Sequence, residues 1–172
     1  MPERPRWREY QPPVLEEREG EGWYVPEFDP EREGGVAVGT DIIEIARIQR
    51  SLNDFGDRFL KRVYTERERE WYGTRVNELA ARFAAKEATS KALGTGIIGI
   101  RWREMEVLPN RRGKPVLVLH GRAAERARQL GLTSFSVSLT HSRTDAMAFV
   151  VGTGEGSGLP SGAVLDHVAE NS

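Results

Sequence analysis

The chain has 172 residues, no cysteine, and 26 acidic against 25 basic side chains. That length suits one folded domain with its own core; without cysteine there is no disulfide framework and no thiolate chemistry, and no apolar run approaches the roughly 18 residues of a membrane span. The near-neutral total hides a division: residues 1–35 hold ten acidic and five basic side chains and residues 154–172 three acidic and none basic, so the ends carry −5 and −3 and residues 36–153 are left at +7.

A basic middle implies acidic or phosphate-bearing partners. Residues 1–35, with six prolines from Pro2 to Pro30 among many glutamates, show neither helical nor strand periodicity and read as an extended, flexible acidic arm carrying Trp7, Tyr10, Trp23, Tyr24 and Phe28. The start, MPERPRWREY, lacks the apolar stretch of a signal peptide, so a cytoplasmic location is expected. Residues 154–172 are Gly/Ser-rich and read as a mobile tail. The folded domain is expected over residues 36–153.

It opens with VAVGTDIIEI, a β-branched run that suits a buried strand. Asp41 lies inside it and is costly to bury unless paired or metal-bound, a capping role being the plain alternative. From about Glu44 to Tyr64 the pattern is helical, with Arg47, Arg50, Arg58, Lys61 and Arg62 giving a basic outer face. Such a face is either solvated or a seat for an acidic helix of another protein. Thr65 with Glu68 predicts a capping box at the start of the next helix.

The central helix is predicted to start at Asn77 or Glu78 and to end at the glycines 94 and 96. Leu79, Phe83, Glu87 and Lys91 follow one another at i, i+4 spacing and so share one side of it. An exposed Glu87–Lys91 ion pair is the simple reading. Arg82 and Lys86 flanking the same carboxylate, and a glycine-rich turn directly after, point instead to a site. The string GTGIIG is not a dinucleotide fingerprint, which needs a strand before it and a helix after it. Gly94 reads as a helix C-cap, and the turn through Gly96 permits close approach of backbone to a ligand. Beyond it come a hairpin around PNRRGK, a helix over Ala123–Leu130, a strand over residues 134–139, a loop holding His141, and a last strand from Asp145 to Val151. The sum is an α+β domain with an antiparallel sheet against a long central helix. Asp41 and Glu87 make a hard oxygen pair of the kind Mg²⁺ uses when substrate phosphates complete its shell, and the expected chemistry is phosphoryl-type transfer.

VGTDIIEIARI, FGDRFLKRVYTERE, RFAAKEATSKALGTG, GKPVLVL and SVSLTHS together resemble the holo-acyl-carrier-protein synthase type of 4′-phosphopantetheinyl transferase. The resemblance runs from about Val36 to Val151. It implies transfer of 4′-phosphopantetheine from coenzyme A to a serine of an apo-acyl carrier protein, with release of adenosine 3′,5′-bisphosphate, in support of fatty acid biosynthesis. It also implies Asp41 and Glu87 as Mg²⁺ ligands, with Glu87 or a metal-bound water taking the serine proton and Lys91 neutralising the diphosphate. Arg82, Lys86 and His141, with Gly94 and Gly96, would lie around the coenzyme, and Arg47 and Arg50 would meet the carrier protein. Family members are trimers with the coenzyme between subunits, so a homotrimer is expected, with neither nucleic acid nor membrane as partner. The acidic arm departs from the family pattern. Two other classes fit parts of the sequence: another Mg²⁺-dependent phosphotransferase or diphosphohydrolase, and a non-catalytic carrier-binding module, against which Glu87 and Lys91 together argue.

Overall fold

The computed structural model describes residues 35–96 and 98–154. The arm expected up to residue 35 and the tail expected from residue 154 lie outside the described residues, apart from the innermost residue of each. Strand β1 (Val36–Glu44) runs into helix α1 (Ile45–Val63), followed by α2 (Glu66–Tyr72) and the central α3 (Val76–Ala92). After a 3₁₀ turn at Trp102–Glu104 come β2 (Met105–Pro109), β3 (Pro115–Leu119), α4 (Gly121–Gln129), β4 (Leu132–His141) and β5 (Asp145–Gly154). The α+β expectation holds, and the strands divide into two antiparallel sheets, β1-β5-β4 and the hairpin β2-β3.

Helix α3 crosses the inner face of the three-stranded sheet, and the reason is its composition. Alanine is the strongest helix former, and Ala80, Ala81, Ala84, Ala85, Ala88 and Ala92 are all buried. With so little side chain in the way, the helix backbone approaches the sheet closely. At Gly39 of β1 the approach is closest: a Cβ there would stand 1.9 Å from the Ala88 carbonyl oxygen and 2.9 Å from the Ala92 nitrogen. Only glycine fits.

β1 was expected to be buried, and its β-branched run is apolar on both faces. Only one face meets α3, so Gly39 and Ile43 are buried while Val36, Val38 and Ile42 point outward. Met147 and Phe149 of the neighbouring β5 extend that exposed apolar face. The loop expected around His141 is instead the end of β4, paired with Ala146 of β5.

Helix α1 is amphipathic as expected, burying Ile45, Ile48, Leu60 and Val63. It is not continuous. At Gly56 the backbone leaves helical geometry (φ 47°, ψ −124°), a conformation only glycine holds without strain. The capping box at α2 forms as the sequence predicts: Glu68 N donates to Thr65 Oγ1 (3.2 Å) and Thr65 N to Glu68 Oε2 (2.8 Å).

Candidate active site

In a strand, side chains alternate between faces, so Asp41 points the same way as Gly39 and Ile43, toward α3. There it meets the last turn of the helix. The Lys91 ammonium donates to Asp41 Oδ1 (2.8 Å) and to the Thr40 carbonyl (2.9 Å). Lys91 thus bonds to β1, and the i, i+4 ion pair with Glu87 is not what fixes it. Glu87 stands one turn before Lys91 and is partly buried. That burial, followed by the charge of Asp41, raises its carboxyl above the usual glutamate range, while Lys91 and Arg47 pull it back. Asp41, Glu87, Lys91 and Arg47 therefore form one electrostatic cluster drawn from β1, α3 and α1.

A carboxyl whose folded pKa exceeds its unfolded value contributes less to stability as pH rises through the folded value. Ionised Glu87 beside Asp41 is thus an unfavourable arrangement that a cation would relieve. Among the described residues no group of three or more His, Asp or Glu side chains could hold a metal. Two carboxylates, from β1 and α3, nevertheless match how Mg²⁺ is bound in phosphoryl-transfer sites, where water and phosphate oxygens complete the shell. The donor set fits that ion.

Other expected site residues lie elsewhere. Arg82 and Lys86 do not flank Glu87, because successive helix positions are rotated by about 100°. Arg82 is buried, ion-paired with Glu78, with its guanidinium 4.0 Å over the Tyr72 ring. Lys86 is fully buried and paired with Glu68 (2.8 Å), so the structure does not bring it beside Glu87 where the sequence reading put it. Gly94 and Gly96 have positive φ as expected. The N–H groups of Gly94, Thr95 and Gly96 all donate back to the Lys91 and Ser90 carbonyls, closing α3 in a Schellman motif. These N–H groups are used in closing the helix. His141 is exposed, bonded to the Ser142 carbonyl (3.3 Å), and sits two strands from β1, about 10 Å away at ordinary strand spacing.

Beside this cluster a groove of about 360 Å³ follows α1. Arg47 and Phe55 enter it from before the Gly56 break, Arg58 and Arg62 from after it, and Phe83 and Trp102 form the opposite wall. The two wall rings pack with centroids 4.6 Å apart. Arg50 is exposed on the same helix, but does not line the groove. Sequence reasoning missed the wall: Phe83 was read only as helix face, and Trp102 carried no periodic signal. The glycine after Phe55, in the middle of an amphipathic pattern, was the available hint of a break.

The model of the 4′-phosphopantetheinyl transferase superfamily matches residues 37–147. The holo-[acyl-carrier-protein] synthase of Herpetosiphon aurantiacus is 49% identical over 128 residues, covering 69% of this chain and 99% of that protein. The synthase of Solibacter usitatus is 47% identical over 120 residues, covering 67% and 96%. Among solved structures, the synthase from Neisseria meningitidis superposes with a TM-score of 0.63 at 36% identity, covering 67% of this chain and 96% of that one. The Helicobacter pylori synthase in complex with coenzyme A gives 0.62 at 30%, covering 67% and 99%. On that match and those identities, the chain belongs to the 4′-phosphopantetheinyl transferase superfamily.

Proposed function

We propose that this chain is a holo-acyl-carrier-protein synthase, moving 4′-phosphopantetheine from coenzyme A to a serine of an apo-acyl carrier protein. The observation that carries this reading is the meeting of Asp41, Glu87 and Lys91 beside a groove rimmed with arginines. The serine oxygen attacks the phosphorus that bears the pantetheine; a new P–O bond forms, the anhydride P–O bond breaks, and adenosine 3′,5′-bisphosphate leaves. The serine proton goes to Glu87, directly or through water. Lys91, half-exposed at the cluster, balances charge on the departing phosphate. Incubation with coenzyme A, Mg²⁺ and an apo-carrier, followed by mass spectrometry, tests the reaction. Nucleotide turnover without any carrier would favour a hydrolase instead.

Asp41 and Glu87 would hold Mg²⁺, which when bound supplies charge neutralisation on the diphosphate. The mutual repulsion of the two carboxylates supports this assignment. With Mg²⁺ at about ten times its dissociation constant, the melting temperature is expected to rise by roughly 3–6 °C, and the Asp41→Asn/Glu87→Gln double variant should show no rise.

The groove is assigned to an acidic helix of the carrier, by charge complementarity with Arg47, Arg58 and Arg62. Because Arg47 also feels Glu87, Arg58 is the cleaner probe of docking. Arg58→Glu is expected to raise KM for the carrier about tenfold and leave KM for coenzyme A unchanged. Equal effects on both would remove the groove from carrier recognition.

A homotrimer belongs to the same reading. The outward apolar face of Val36, Val38, Ile42, Met147 and Phe149 supports burial against other copies, and exposed His141 could then serve a coenzyme held between them. Sedimentation velocity reports the assembly. A cytoplasmic setting is part of this reading and suits a chain without cysteine.

A further inference from the structure

Every polar contact of Lys86 is internal. Its ammonium donates to Glu68 Oε2 (2.8 Å) of α2 and to the main-chain carbonyls of Trp102 (3.1 Å) and Met105. The three N–H donors of an ammonium are thus all used, and both members of the ion pair are fully buried. Glu68 is equally committed, accepting Thr65 N (2.8 Å) at Oε2 and Val107 N (3.0 Å) at Oε1. Burial pushes the Lys86 ammonium below its ordinary pKa, with Glu68 holding it up.

A buried ion pair adds little stability over a well-packed apolar pair, because desolvation offsets the attraction. It does fix position. Methyl groups would tolerate a sliding 3₁₀ turn, whereas a charged donor holds the Trp102 carbonyl at one place. The Trp102 ring packs on Phe83 and with it lines the groove along α1.

We propose that Lys86 is a positioning residue for carrier recognition: by clamping the Trp102–Met105 segment to α2 and α3 it sets the Trp102 wall and so the width of the groove. This inference rests on the assignment of that groove to the carrier. Adjacent residues of α3 then serve two sites, Glu87 the transfer and Lys86 the docking, because their side chains leave the helix about 100° apart.

Steady-state kinetics on the full chain, varying coenzyme A and apo-carrier separately, test this. Lys86→Met alone strands the Glu68 carboxylate in the core, so the informative variant is Lys86→Met/Glu68→Gln, with its fold checked by circular dichroism. It is expected to raise KM for the carrier about tenfold and change KM for coenzyme A less than about twofold. Trp102→Ala is expected to do the same. Adding it to the double variant should raise KM by no more than about twofold beyond Trp102→Ala alone, since both changes act through one wall.

A raised KM for coenzyme A with the carrier's unchanged would make Lys86 a coenzyme ligand and overturn the inference. Full multiplication of the two effects, or no change in either KM, would overturn it as well. Should the double variant not fold, Glu68→Gln alone replaces it, with a smaller rise in the same KM expected and an unchanged KM counting against. If Trp102→Ala leaves the carrier's KM unchanged while the wild-type chain is active, the failure is that of the groove assignment.

Discussion

Glu87→Gln is expected to slow phosphopantetheinyl transfer by about 10²–10⁴-fold, the usual weight of a lost general base, with the fold intact. The amide keeps the size and hydrogen-bonding reach of the carboxylate but cannot accept the serine proton, and it is a poor ligand for a hard cation. Stability should not suffer. Burial and Asp41 both disfavour the ionised carboxylate, so at neutral pH the neutral amide removes an unfavourable charge from the metal-free protein. Mass spectrometry of the carrier gives the rate and a thermal melt gives the stability. A variant with near-normal rate would take Glu87 out of the chemistry.

Gly39→Ala is expected to damage both stability and activity, although the residue touches no substrate. Its added methyl would lie 1.9 Å from the Ala88 oxygen, 2.8 Å from the Ala88 carbonyl carbon and 2.9 Å from the Ala92 nitrogen. All three are backbone atoms, so no side chain can swing aside. β1 and α3 must part, at a cost of about 3 kcal/mol or more. The same parting separates Asp41 from Glu87 and Lys91, and misplacement by about 1 Å is enough to lose about 10²-fold in rate. Urea unfolding and kcat measure the two effects. Wild-type stability in this variant would contradict the close contact on which the site geometry rests.

These two variants mark what the sequence discloses. The G-x-D and K-E-A-x-x-K blocks announce their residues, and strand alternation with helical spacing brings Asp41 toward Lys91 without further information. The capping box at Thr65 and the left-handed glycines after α3 are equally local, and all were legible. That Lys86 and Arg82 do not lie beside Glu87 has a different origin. Proximity in sequence suggested proximity in space, but one residue along a helix is a turn of about 100°, and the partner of Lys86 is Glu68, already spoken for by a capping motif. Nothing local says that a capping glutamate also neutralises a lysine from another helix. The open outer face of β1 was hidden because its residues are apolar on both sides, and the groove because its two walls lie far apart in the chain.

The closure of α3 has an electrostatic consequence for the substrate. The last carbonyls of a helix carry partial negative charge and ordinarily repel anions, and on the proposed reading Lys91 would meet a diphosphate at that very end. In this chain the Ser90 and Lys91 oxygens are capped by the amides of residues 94 to 96, which blunts their field toward the outside. A phosphate arriving there would meet the lysine cation at a terminus whose Ser90 and Lys91 oxygens are already engaged.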